Sequence, residues 1–177
     1  MKNIFYCILF CGAAILTGCQ DDSQQAANPA LPAQEVDKAL CEQYRNDISE
    51  VIKNFAGWGK QYGNSIELLD AQGKVQGFML LPFKEYKRVE GYNGFINTAV
   101  VLSPEKKIIA IAIGKNDETP RFMQRIRQAG FMNKWNGLTP QQAETLQVDA
   151  VTSATYSSDA ITGEVKAACA EFNQNTR

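Results

Sequence analysis

The 177-residue chain contains no histidine. That removes the commonest metal ligand and the commonest general base together. It also leaves the methionines without the partner a haem iron usually takes. An excess of charge is missing too: 18 basic and 19 acidic side chains give a net charge of −1, so no basic face points to nucleic acid as a partner. The apolar run from Ile4 to Leu16 is too short to span a bilayer, and no other stretch is long and apolar enough. There is no Gly-x-x-x-x-Gly-Lys phosphate loop. Internal repeats of about 20–50 residues are absent, which excludes solenoids. What remains is 45% hydrophobic and 21% charged, an ordinary globular mixture of a length that suits one domain with extensions.

The N-terminus reads as an export signal. Lys2 precedes the apolar run, and Leu16-Thr17-Gly18-Cys19 resembles the bacterial lipobox. The resemblance implies cleavage after residue 18 and acylation of Cys19; an ordinary signal peptide is the alternative. Residues 1–18 are thus expected to be a lipoprotein signal peptide, 19–35 a flexible tether and 36–177 the folded domain. The tether is polar, rich in Ala, Gln and Pro, and without periodicity. An acyl anchor would hold the protein on a membrane without spanning it, in the bacterial cell envelope, facing the periplasm or the extracellular side. Cys7 and Cys11 would leave with the signal peptide, and Cys19 would carry lipid. Cys41 and Cys169 remain. In an oxidising compartment a disulfide between them is the expectation, with two buried free thiols as the alternative.

The rest of the chain alternates helical and strand patterns. Val36, Leu40, Tyr44, Ile48, Ile52 and Phe55, with Val51, predict one long amphipathic helix ended by Gly57 and Gly59. Ser65 to Asp70 and Lys74 to Leu81 read as a hairpin closed at Ala71-Gln72-Gly73. Gly91-Tyr92-Asn93-Gly94 is a tight turn feeding a strand from Phe95 to Leu102. Ile108 to Ile113 is almost wholly apolar, which predicts a central strand covered on both faces. Thr119-Pro120 and Thr139-Pro140-Gln141-Gln142 look like helix starts, the second with a capping box. Ser158 to Phe172 predicts the last helix, with Ile161, Val165, Ala168, Cys169 and Phe172 as its buried stripe. The expected fold is a single α+β domain: an antiparallel sheet flanked by N-terminal and C-terminal helices.

Hydroxyls crowd the start of that last helix: Thr152, Ser153, Thr155, Ser157 and Ser158. One cap needs one hydroxyl. Helix N-termini also bind anions through free N–H groups and the dipole, so a phosphate site and simple capping both stand.

Asp149-Ala150-Val151-Thr152-Ser153-Ala154-Thr155-Tyr156-Ser157 resembles the motif Asp-x-x-(Ser/Thr)-Gly-Ala-Thr of the FMN-binding domain family. That domain is found in the C subunit of sodium-pumping NADH:quinone reductase and the G subunit of the Rnf complex. Gly91-Tyr92-Asn93-Gly94-Phe95-Ile96 and Glu118-Thr119-Pro120 resemble further family stretches, as does the aromatic run Phe131 to Trp135. The region of resemblance covers about residues 64–165, with these stretches in one consistent order.

The resemblance implies a covalent FMN, held by a phosphoester on Thr155. An exported flavin transferase would make that bond from FAD with a divalent metal, and Asp149 would be part of its recognition motif. Thr152, Ser153, Ala154, Tyr156, Ser157, Ser158, Glu118, Thr119, Pro120, Tyr92 and Gly94 would surround the cofactor. Electron transfer between unidentified donor and acceptor proteins is the implied role. A flavin-free or reversibly FMN-binding lipoprotein, using the fold as an interaction module, is the alternative.

This chain departs from the family twice. Ser153 stands where the family has Gly, and Arg121-Phe122-Met123 follows Pro120 where Gly-Leu-Gly is common. Trp58, Trp135 and Tyr156 are candidates for stacking on a flavin ring. Arg121, Arg125 and Arg127 would either steer an anionic partner or form a solvated face.

Overall fold

The computed structural model describes residues 31–82 and 86–176. The expected signal peptide, Cys19 and most of the tether lie outside them. Two short helices come first, α1 (Lys38–Glu42) and α2 (Arg45–Val51). Five strands follow: β1 (Gly57–Tyr62), β2 (Ser65–Leu69), β3 (Val75–Leu80), β4 (Ile96–Leu102) and β5 (Ile108–Asn116). Then come α3 (Pro120–Gln128), a 3-10 turn (Phe131–Trp135), α4 (Pro140–Thr145) and the long α5 (Thr155–Asn175). The strands form one antiparallel sheet in simple chain order, so the fold is α+β as expected.

Strand alternation splits the core in two. Along β4, Ile96, Val100 and Leu102 join one cluster, with Phe131, Trp135, Ile161, Val165 and Phe172. Ala99 and Val101 face the other way and pack with Cys41, Tyr44, Ile48 and Ile52. The molecule therefore has three layers: α1 and α2, the sheet, then α3 to α5.

This layering overturns the disulfide. Cys41 and Cys169 are both free and buried, and they belong to clusters on opposite faces of the sheet. A disulfide needs Cα atoms about 4.4–6.8 Å apart, and a sheet lies between these two. Each cysteine is buried on its own helix, but the two helices pack on opposite faces of the sheet, which stands between the thiols.

The first helix is also not continuous. It breaks at Gln43 and Tyr44, and the stripe changes phase there: Cys41 is buried while Leu40 is exposed. The break lets Gln43 and Asp47 reach the free edge of β5, where Gln43 Oε1 accepts from Lys115 N–H (2.8 Å) and Asp47 Oδ2 from Ile113 N–H (2.8 Å). Strand β5 is thus an edge strand, not the expected central one. Its apolar run reflects burial on both faces, and side-chain acceptors cover part of its exposed edge. Strand β1 was not expected at all, because Gly57 and Gly59 read as a helix stop. A Cβ on Gly59 would run into the Glu67 side chain on β2, so this glycine serves close strand approach. Gln34, expected in the tether, bridges to Gln61 of β1 (N–H to O, 2.8 Å).

Candidate functional site

Helix α5 starts at Thr155, three residues before the expected Ser158. Its buried face packs under β4, which fixes where its N-terminus points. The residues before it make a tight turn, with Ala154 N–H donating to Val151 O (2.9 Å). Ser153 has φ +64, in the left-handed region that favours glycine. Ala154 takes the N-cap position, where no side chain caps the helix.

The five hydroxyls divide into two groups. Ser158 Oγ accepts from Val151 N–H (3.1 Å) and donates to Ala154 O (2.9 Å), stapling the turn to the helix. Ser157 Oγ donates to Glu118 Oε2 (2.5 Å). Both serines are fully buried. Thr152, Ser153 and Thr155 are exposed, and their hydroxyls make no hydrogen bond among the described residues. The N–H groups of Thr155, Tyr156 and Ser157 also find no backbone or side-chain acceptor there. The first turn of a 21-residue helix thus presents unpaired donors beside an exposed hydroxyl.

Glu118 sits behind this turn, 6% exposed. Besides Ser157, it accepts from Asn93 N–H through Oε1 (2.8 Å). Asn93 Nδ2 also donates to Thr119 Oγ1 (3.3 Å). Thr119 is the N-cap residue of α3, as expected, but its hydroxyl meets the Asn93 turn and makes no cap bond to the helix. Thr139 does form its capping box with Gln142. Pro120 opens α3, where its missing N–H is harmless.

A cavity of about 230 Å³ opens here, lined by Tyr92, Phe122 and residues 153–157. Tyr92 and Tyr156 are 59% and 66% exposed. Gly94, at φ +129, closes the turn that carries Tyr92. Asp149, the first residue of the motif, is exposed on the coil leading to α5.

The other aromatic candidates fall away. Trp135 is wholly buried in the core. Trp58 lies in the layer of α1 and α2 and donates to Glu42 Oε1 (2.9 Å). Phe122 is the lining residue that the sequence marked only as part of a helix face. Nothing in its spacing distinguished cavity from core. Arg121 and Arg127 are exposed on α3, and Arg125 is half-buried.

A second anchor holds the segment before the Tyr92 turn. Arg88 Nε pairs with Glu164 of α5 (2.7 Å), its Nη2 donates to Asn97 Oδ1 (3.0 Å), and its guanidinium lies over the Phe95 ring (4.7 Å). Burial pushes the Glu164 carboxyl above its ordinary range, and Arg88 pulls it back.

Unpaired amides and a free hydroxyl suit a phosphate, and the aromatic lining suits a planar ring, so these residues fit FMN. Residues 91–170 match the family model described as the FMN-binding domain. These residues form an FMN-binding domain. The match begins at the Tyr92 turn and ends within α5, so it encloses every residue of the cavity. It also starts later than residue 64, from which the motifs could be followed. No curated protein matches the chain. A domain of this family supports flavin binding by these residues, with FMN as the cofactor.

Proposed function

We propose that this FMN-binding domain carries its cofactor covalently, through a phosphoester on Thr155, and works in electron transfer as a lipid-anchored protein outside the cytoplasm. One observation carries the reading. Thr155 is the hydroxyl that combines exposure, a place on the cavity wall and position N1 of a helix whose first three N–H groups are unpaired. Ser157 and Ser158, two and three residues further on, are buried and already bonded. When bound, FMN supplies the electron chemistry.

The chain's own residues then have defined tasks. Thr155 provides the ester oxygen, and the amides of Thr155, Tyr156 and Ser157 offer donors to the phosphate. The aromatic lining would shield a bound ring. The cavity is smaller than the roughly 300–1,000 Å³ of sites that enclose a small ligand, which would leave part of such a ring accessible to redox partners. A covalent bond offsets that limited enclosure, because retention no longer depends on ligand concentration. Asp149, the exposed first residue of the motif, is available to an exported flavin transferase.

Co-expression with such a transferase tests the reading. The mature protein should gain the mass of FMN less water and fluoresce on a denaturing gel, and Thr155→Val should lose both. A labelled Val variant would show that the acceptor is another residue. Ser153 in a left-handed conformation favours one alternative, a flavin-free or reversibly FMN-binding interaction module. A wild type that is never labelled would select it.

A further inference from the structure

The turn from Gly91 to Gly94 forms a fixed wall of the cavity. Gly91 N–H donates to Gly94 O across it (2.7 Å). Tyr92 projects from the turn and meets Phe122 edge-to-face, with centroids 5.1 Å apart and planes at 87°. Glu118 secures the turn from beneath, holding the Asn93 amide with one oxygen and the Ser157 hydroxyl of α5 with the other. A Cβ on Gly91 would collide with the same carboxylate, so the turn rests directly on it. The wall is therefore tied to the helix that bears Thr155.

We propose that Tyr92 is the stacking surface for the isoalloxazine ring and that Glu118 is the positioning residue that fixes it there. The proposal rests on the reading of Thr155 as the FMN carrier. Tyr156 also lines the cavity and is exposed, but no described ring packs against it. A ring already buttressed by Phe122 loses less freedom on stacking than a free one, and offset or edge-on aromatic contacts are favourable. Phe122 stands in the stretch where the family often has Gly-Leu-Gly. Here an aromatic pair does the work of the ring contact.

The test uses the full-length protein flavinylated by a co-expressed transferase, with each variant's FMN mass confirmed first. Flavin emission lifetime is the readout, because a phenol in contact with the ring quenches it by donating an electron to the excited flavin. Tyr92→Leu should shift the ratio of quenched to unquenched populations by about two- to tenfold, and Tyr156→Leu by less. Glu118→Ala should free the turn and resemble Tyr92→Leu, while Glu118→Gln, whose amide can still bond both partners, should lie closer to wild type. Ser157→Ala removes one arm of the clasp and replaces Glu118→Ala if that variant does not fold. Labelled Tyr92→Leu with a wild-type lifetime overturns the stacking and leaves Thr155 intact. So does a long lifetime in Tyr156→Leu alone. A wild type that never gains the mass overturns both.

Discussion

Ser153→Gly isolates the cost of the residue that departs from the family motif. At φ +64 a side chain crowds the backbone, at a cost of about 1–2 kcal/mol. The Ser153 hydroxyl makes no hydrogen bond among the described residues, so removing it forfeits none there. Against the gain stands the extra freedom that glycine gives the unfolded chain, about 0.4–1 kcal/mol. The balance favours the variant by roughly 0–1.6 kcal/mol, with about 1 kcal/mol expected. For a domain of this size that raises Tm by about 2–5 °C.

Thermal and urea unfolding of the unlabelled protein measure it. Ser153→Ala is the control, since alanine keeps the crowded Cβ and loses only the hydroxyl. Glycine should stabilise and alanine should not. A glycine variant less stable than wild type, or an alanine variant that gains as much, would refute the strain argument. The same substitution should change the rate of flavin transfer while Thr155 remains the labelled residue, because the bend at 153 sets how the acceptor is presented.

Two further expectations concern the buried ionisable groups. Burial, above all, pushes the Cys41 thiol up to about 11 and the Cys169 thiol up to about 12. Both should resist alkylation in the native protein at pH 8 and react after unfolding, with no change on reduction. Above pH 9 the unfolded chain loses thiol protons that the folded chain keeps, so stability should fall from about pH 9 towards 11–12, less steeply in a Cys41→Ala/Cys169→Ala variant. Arg88→Met would leave Glu164 buried without its cation, lowering stability by about 3 kcal/mol at pH 7. The urea midpoint of that variant should recover as pH falls, because protonation removes the buried charge; an unchanged midpoint would mean that Arg88 is not holding the charge.

The strands were legible in the sequence wherever alternation or an apolar run met a turn signal, as in β2 to β5. They were illegible where the signal had two meanings. Gly57 and Gly59 could end a helix or let a strand approach its neighbour, and only the Glu67 side chain across the sheet decides. Periodicity also continued from Val36 to Phe55 while the helix did not, since Gln43 and Asp47 gain more from covering the β5 edge than a straight helix offers. Cys169 was correctly placed on a buried stripe, whereas Cys41 is buried at a position beside the expected stripe, where Leu40 is exposed. Which side of the sheet each helix would take is a property of the topology, and no spacing records it. The cavity was legible along one strip of chain, residues 149–158, and through the motifs around Tyr92 and Glu118. That those motifs meet in one carboxylate was not, because Glu118 and Ser157 are 39 residues apart.

That clasp explains what the two buried hydroxyls do at this helix mouth. The threonine proposed to bear the phosphate needs a turn that does not collapse onto it, and the N-cap here, Ala154, has no side chain able to hold the turn. Ser158 does so from inside the helix, bonding Val151 and Ala154. Ser157 ties the same turn to the Tyr92 wall through Glu118. With the amides of Thr155, Tyr156 and Ser157 left unpaired, the orphan donors that capping would normally satisfy stay available to a ligand. Capping and anion binding are therefore not rival readings of this cluster. The buried serines do the structural work, and because they do, the threonine does not have to.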